Sequence, residues 1–489
     1  MDLGLNYLAS VSHYVPEIVA LVTMIGVVFL EATYDGIEKR TMMFSFAYLG
    51  LFASLASLSL NLSSEPTAIF FNAAVIDPFS TMMKIIMVFG TIGSIYMSQN
   101  SRDIYADFRS EFVLLSIGVL IGGMILASAN NMLSLYIGVE TLSILSYVMA
   151  SLKRNDELSS EAGLKYSLYG GLSAGLMLFG MSHIYGVLST IQFSEVSVAL
   201  KGLSSSQYGI LVPSFLLFFV GLGYKIASVP FHMWSPDVYE GSPLPVTTFF
   251  SIVPKVAGIA AIIRVSHVFF GQEGILQYSW VALLLVISVL TMTVGNVAAI
   301  GQQSVKRMLA YSSISHAGFM LMGALLINQD GASSVAFYAI VYLFMTLVSF
   351  YVVGYVADYF GNDDFERFNG LIHNHPLAAI ILSTAMLSLA GVPPLGGFVS
   401  KFNLLSAVVK EGHYTLAIIA GLNSVVSLFY YMKIVRYMIL NKPESEEKIS
   451  GFTKVNMTVV GLVAAPIIII GLFWNNIHQI ASEATLFIQ

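Results

Sequence analysis

The 489-residue sequence contains no cysteine, and only 10% of its residues are charged, against about 25% in an ordinary soluble domain. Without thiols the chain holds no disulfide and no thiolate-bound iron–sulfur cluster, so any electron transfer tied to it runs elsewhere. With so little charge and 56% hydrophobic residues, a water-soluble globule of this make-up would precipitate. The net charge of −6 is small for the length and offers no footprint for nucleic acid. No basic leader precedes the first apolar stretch and no small-residue cleavage site follows it, so the first span is expected to be retained. The alternating period of an outer-membrane barrel is missing too: runs such as Ile18 to Leu30 and Val281 to Val294 are uncharged and predominantly apolar on all sides.

What the chain does have is a series of apolar stretches of about twenty residues, each long enough to cross a hydrocarbon core about 30 Å thick. The pattern predicts an all-α integral membrane protein of about 14 transmembrane helices. Spans fall near 77–97, 131–152, 162–187, 211–229, 244–268, 308–328 and 377–409, among others, with polar loops at Gly361 to Pro376 and Asn441 to Lys454. Of the 22 Lys and Arg residues, fourteen, Lys448 among them, lie at connections that follow odd-numbered spans, whereas only Lys201, Arg264 and Lys410 lie on the opposite side. Basic residues collect on the cytoplasmic side, so both termini are expected on the periplasmic or outer side.

The remaining five basic residues are all lysines inside predicted spans: Lys84, Lys165, Lys225, Lys255 and Lys401. A mid-helix lysine costs roughly 2.5 to 3.5 kcal/mol on insertion scales, which makes it a functional candidate that needs a partner. Lysine also suits proton transfer, since it releases its proton when desolvated whereas arginine stays charged. Glu140, mid-span in the fifth helix, is the clearest buried acid and the natural counter-ion; the competing explanation is a structural ion pair between helices. Lys225 sits in Gly221-Leu222-Gly223-Tyr224-Lys225-Ile226-Ala227-Ser228-Val229-Pro230, where glycines and a proline are expected to break the helix. Lys255 lies about eleven residues into the eighth span, too deep to snorkel easily. Lys401 follows Pro393-Pro394 and a glycine pair that must interrupt the twelfth span.

The two breaks mirror each other and lie five spans apart, an odd offset that reverses direction in the membrane. This points to two inverted five-helix repeats, each with a broken helix. The implied domains are 1–111 (spans 1–3), 112–268 (first repeat), 279–438 (second repeat) and 439–489 (last span). By the same offset Glu140 corresponds to a place in span ten, where His316 is the buried polar candidate, as a proton shuttle or as a packing histidine bonded to a neighbouring carbonyl. Lys165 and Lys84 lie nearer helix ends: Lys165 is placed to tune the Glu140 and Lys225 pair or to snorkel, and Lys84 is expected to snorkel. Glu31 and His183 read as interfacial or packing residues, and His232, Asp237 and Glu240 as loop residues that cap helices.

The run Pro230-Phe231-His232-Met233-Trp234-Ser235-Pro236-Asp237-Val238-Tyr239-Glu240-Gly241-Ser242-Pro243 closely resembles the signature of the N-type antiporter-like subunits of respiratory complex I, and Lys306-Arg307-Met308-Leu309-Ala310-Tyr311-Ser312-Ser313-Ile314-Ser315-His316 is a second match. The resemblance implies a fourteen-helix fold with two inverted repeats, in agreement with the spans. It also implies roles: Glu140 and Lys225 as a switching pair, Lys255 as the central lysine, Lys401 as the exit-side lysine and Lys165 as a modulator. Quinone reduction elsewhere in the complex would weaken the hold of Glu140 on protonated Lys225 and send a proton towards Lys255, Lys401 and the outside. NADH, FMN, iron–sulfur clusters and quinone are expected in partner subunits, with no cofactor or metal in this chain. The expected partners are the neighbouring M-type and small K-, J- and A-type membrane subunits and the lipid bilayer of a bacterial inner membrane. An Mrp-type cation/proton antiporter subunit is one alternative, and a structural membrane subunit whose charges only join helices is another.

Overall fold

In a computed structural model of the chain, the structure describes residues 10–34, 36–62, 65–443, 449 and 451–486. Both termini and part of the Asn441 to Lys454 connection, with Lys448, lie outside the described residues. The helices are α1 Val15–Thr33, α2 Gly36–Asn61, α3 Pro78–Ser98, α4 Arg109–Ala127, α5 Met132–Ala150, α6 Glu157–Leu188, α7 Phe193–Ala199, α8 Ser205–Lys225, α9 Trp234–Gly241 and α10 Leu244–Phe270. The chain continues with α11 Ile275–Ile300, α12 Val305–Ala324, α13 Gln329–Phe360, α14 Leu371–Asn374, α15 Pro376–Ala390, α16 Gly396–Lys410, α17 Tyr414–Leu440, α18 Lys454–Leu472 and α19 Trp474–Ala484. A small antiparallel hairpin, β1 Thr67–Ile69 with β2 Ala74–Ile76, joins α2 to α3.

Twelve of the described helices are long and apolar enough to cross a membrane. Two further spans complete the fourteen: α12, which is too polar to qualify by hydropathy, and the discontinuous pair α15 and α16. Among the described residues four short helices were not anticipated: α7, α9, α14 and the amphipathic α19 that follows the last span.

The repeats show in the packing. Helix α4 lies along α5 as α11 lies along α12; α9 packs on α6 as α16 packs on α13; α10 packs on α4 as α17 packs on α11. Both helix pairs approach closely through glycine. A Cβ on Gly122 of α4 would meet the Leu142 backbone of α5, and one on Gly138 would meet that of Leu126; Gly295 of α11 and Gly318 of α12 are placed likewise against Ser315 and Met292. The last span of the first repeat, α10, is the most buried of the described spans and touches α3, α4, α12 and α13.

Each broken span has a local cause. Helix α8 stops at Lys225, where the Ser228 N–H turns back to the Gly223 carbonyl (2.9 Å) and the Val229 N–H donates to Thr291 Oγ1 of α11 (3.0 Å). Pro230 then supplies no donor, and the chain resumes as α9 rather than as the loop expected from the sequence. Helix α15 stops at Ala390 because Gly391 takes a left-handed conformation (φ 89°) and Pro393-Pro394 follow. Helix α16 restarts with the Gly397 N–H donating to Ser388 Oγ (3.0 Å).

Candidate functional site

Lys225 is the last residue of α8, buried, and its Nζ has no hydrogen-bond partner. It faces three rings instead, 5.8 Å from the centroids of Tyr147 and Tyr224 and 5.7 Å from that of Tyr166. Those rings are held firmly. Tyr166 stacks on Trp234 at 4.3 Å, the Tyr224 hydroxyl donates to the Tyr166 carbonyl (2.7 Å), and Trp234 Nε1 donates to the Tyr224 carbonyl (3.2 Å). Glu140 is near enough for its charge to act on Lys225, but the two make no ion pair within 4.0 Å. Glu140 Oε1 is buried without a hydrogen-bond partner. The acid and base are therefore neighbours across a gap, not the contact pair that the sequence suggested.

Between Lys225 and Lys255 the protein sets hydroxyls rather than charges. The side-chain oxygens of Tyr166, Ser235 and Tyr239 are buried there; the Tyr166 ring faces Lys225 and the Tyr239 ring faces Lys255. Lys255 Nζ sits 5.9 Å above the Tyr239 ring and donates to Ser313 Oγ of α12 (2.7 Å).

From there the series of polar groups continues on α12. Ser313, His316 and Phe319 recur every three residues and so share one face of the helix. His316 is buried and bonded at both ring nitrogens, Nδ1 to the Tyr338 hydroxyl of α13 (2.5 Å) and Nε2 to the Tyr431 hydroxyl of α17 (3.0 Å). The Tyr431 hydroxyl also hydrogen-bonds Ser312. A histidine strung between two tyrosines can accept on one nitrogen and donate from the other, the property a shuttle needs. The carbonyl contact considered as its alternative is not what holds it. One turn further, Lys401 Nζ lies 4.9 Å from the Phe319 centroid and donates to the Leu389 and Ala390 carbonyls (2.9 and 3.0 Å), the last of α15. The helix break thus turns free carbonyls, at the negative end of a helix, towards a lysine.

Lys165 is placed differently. It is about one-third exposed and pairs with Glu161 (2.6 Å) and Asp237 (2.5 Å), not with Glu140. Arg307 joins the same cluster through Asp237 (3.0 Å) and Glu240. Asp237 and Glu240, expected only to cap helices, link α6, α9 and α12 electrostatically at the end where the basic residues collect. Beside them Lys306 Nζ donates to the Ser242 carbonyl (2.5 Å), and Asp103, in the loop before α4, pairs with Lys153 (2.8 Å) and accepts from the Leu244 N–H (3.1 Å). Burial alone would raise the Asp103 carboxyl, but the Lys306 and Lys153 charges and these hydrogen bonds hold it below its ordinary range.

Lys84 does not snorkel. Its side chain is 1% exposed and its Nζ lies 2.5 Å from Glu17 of α1, itself 2% exposed. The sequence reasoning missed Glu17 because it sits two residues inside the first span, where an acid at a helix N-terminus reads as ordinary dipole compensation. His183 and Glu31 are peripheral as expected, the first bonded to its own helix at the Phe179 carbonyl (2.9 Å) and the second paired with Lys39 (2.6 Å).

Residues 129–427 match the family model described as NADH:quinone oxidoreductase/Mrp antiporter, transmembrane. NADH-quinone oxidoreductase subunit N 2 of Sorangium cellulosum is 34% identical over 99% of this chain and 99% of its own length. The protein of the same name from Chloroherpeton thalassium is 35% identical over 98% of this chain and 95% of its own length. Among solved structures, a chain of respiratory complex I from Thermus thermophilus with bound aureothin superposes with a TM-score of 0.80 at 28% identity, covering 95% of this chain and 98% of that one. A chain of the Mrp complex from Dietzia sp. DQ12-45-1b shares the fold (TM-score 0.83) at only 19% identity, over 97% of each chain. With a fourteen-span fold, two broken helices and relatives of this closeness over nearly its whole length, the chain belongs to the NADH:quinone oxidoreductase/Mrp antiporter transmembrane family, among the N subunits of NADH-quinone oxidoreductase.

Proposed function

We propose that the chain translocates protons as a membrane subunit of an NADH-quinone oxidoreductase, through Glu140, Lys225, the hydroxyls of Tyr166, Ser235 and Tyr239, Lys255, His316 and Lys401. The observation that carries this reading is the set of buried lysines that no carboxylate neutralises: among the described residues Lys225, Lys255 and Lys401 meet only rings, a serine hydroxyl and backbone carbonyls. Purely structural charges are buried in pairs, because an unpaired one costs several kcal/mol. Here the structure keeps each lysine apart from any acid and surrounds it with groups that hold water and protons.

The first repeat, 112–268, supplies the switch and the central lysine, and the second, 279–438, the histidine and the lysine on the release side. Lys165, tied to Asp237 and Glu161, sets the charge at the cytoplasmic mouth rather than contacting Glu140. Redox chemistry, with its NADH, FMN, iron–sulfur and quinone sites, belongs to other subunits, and reaches this chain as a change of charge near Glu140. The distribution of basic residues supports a bacterial inner-membrane placement with both termini outside. The likeness to the Mrp chain is one of fold, whereas the relatives identical at one residue in three are N subunits.

The test is proton release per electron in vesicles carrying the assembled complex with Lys225→Met. A lower ratio with the complex intact supports the relay, while unchanged pumping and quinone reduction would return the buried lysines to a structural role.

A further inference from the structure

At the end of the bundle away from the basic cluster, a polar cavity of about 220 Å³ lies between the start of α13, the end of α16 and α19. Asp330 and Ser334 of α13, Asn403 and Ser406 of α16, and His478 and Ser482 of α19 face it. Two of its polar atoms, Asn403 Nδ2 and His478 Nδ1, are buried with no hydrogen-bond partner, although nearly all such atoms in folded proteins have one. Helix α19 is held in place by Gln329, whose amide donates to the Ser482 carbonyl (3.0 Å), and by His478 packing edge-on against Phe337 at 5.9 Å. At the rim Lys410 pairs with Asp330, both half exposed or more.

The cavity has a link to the interior. Tyr338, whose hydroxyl is bonded to His316 Nδ1, is one helical turn from Ser334 on α13, and both are buried. Side chains on a helix lean towards its N-terminus, so the Tyr338 hydroxyl, where it meets His316, lies nearer the cavity end of α13 than its own backbone does. We infer that this cavity is where protons leave the chain for the outer side, passing from His316 through Tyr338, and that His478 of the C-terminal helix accepts them there. The inference rests on the relay reading above and moves its outlet from Lys401 to His316, on which the Lys401 charge acts.

The transfer balances at every atom. A proton on His316 Nδ1 passes to the Tyr338 oxygen as the tyrosine gives up its own proton to water at Ser334, so the tyrosine never carries charge. That water protonates His478 Nδ1, and His478 then yields the proton to the outer aqueous phase, leaving both histidines neutral. Burial holds the His478 imidazole below its usual range and the nearby Asp330 carboxylate acts the other way, so the group binds a proton only briefly.

Because the chain has no cysteine, Ser406→Cys places a single thiol in it, facing the cavity. In vesicles carrying the assembled complex, a membrane-impermeant cationic methanethiosulfonate applied from the outer side is expected to modify this chain and to lower the protons released per electron relative to the same unmodified variant. His478→Gln is expected to lower that ratio as well, with quinone reduction measured in the presence of uncoupler retained. Modification without loss of pumping, or modification only from the cytoplasmic side, overturns the inference. If Lys225→Met lowers pumping while plugging the cavity and His478→Gln do not, the relay stands and its outlet lies elsewhere. If none of the three lowers it, the relay reading falls together with the outlet.

Discussion

Glu17 with Lys84 and Glu140 with Lys225 are both acid–lysine combinations in the membrane interior, but the first is closed as an ion pair at 2.5 Å and the second is held open, with no ion pair within 4.0 Å. Contact neutralises Glu17 and Lys84 and joins α1 to α3. The open pair lies at the head of a row of hydroxyls, lysines and a histidine. Charge burial alone therefore does not distinguish the two pairs; the separation of the charges does, because a contact pair has no reason to exchange its proton and a separated pair responds to any change in the field around it.

The largest effect expected from this contrast is on stability. Lys84→Met strands the Glu17 carboxylate inside the bundle and should cost about 3 to 5 kcal/mol, read as loss of assembled complex and a lower Tm in detergent. Complex that does assemble should release the same number of protons per electron. A drop in that ratio would place Glu17 and Lys84 in the relay.

The double replacements sharpen the comparison. Glu17→Leu with Lys84→Met should recover most of the lost stability and pump normally, whereas Glu140→Leu with Lys225→Met should assemble and fail to pump. Equal behaviour of the two doubles in the vesicle assay would remove the distinction between closed and open pairs.

A smaller effect separates the two sides of His316. Tyr338→Phe and Tyr431→Phe each delete one hydroxyl from the ring, at a cost of about 0.5 to 1.5 kcal/mol in stability. Only the first severs the link towards the outer cavity, so proton release per electron should fall for Tyr338→Phe and remain for Tyr431→Phe.

The smallest concerns a pair whose function is purely structural. Asp103 has its carboxyl held below the ordinary value near 3.9, so its contribution is fully present above that pH and is lost as the pH falls through the lower, folded value. Asp103→Asn should therefore cost about 1 kcal/mol at neutral pH, and the difference from the parent in thermal unfolding should shrink below about pH 4. A deficit that persists unchanged at lower pH would mean that the hydrogen bonds, not the charge, carry the effect.

How far the sequence could be read follows from the same physics. Long apolar runs announce spans whatever they pack against, which is why the twelve apolar helices were legible, and prolines beside glycines announce breaks wherever they fall. Lys225, Lys255, Lys401 and His316 stood out because a polar residue at mid-span is costly anywhere. What could not be read was who faces whom. Glu17 and Lys84 are sixty-seven positions apart, and their meeting depends on how α1 packs near α3. Asp237 and Glu240 looked like loop residues because the motif that contains them is too short and polar to signal a span half. Tyr338 and Tyr431 carried no mark among 25 tyrosines until α13 and α17 closed around His316.

The polarity of α12 also bears on how the chain is made. Alone among the uninterrupted spans it is not apolar enough to qualify for the membrane, since it begins with Lys306 and Arg307 and then carries Ser312, Ser313, Ser315 and His316. A segment of that kind leaves a protein-conducting channel for lipid unfavourably on its own. Its neighbour α11 has both the apolar surplus and the reciprocal glycine contacts, Gly295 against Ser315 and Gly318 against Met292, that let two helices partition as a hairpin. Helix α12, which carries Ser313 and His316, is thus obliged to enter the bilayer accompanied, and a bulky residue at Gly295 or Gly318 would be felt first at the ribosome-bound stage of synthesis, before there is any complex to assay.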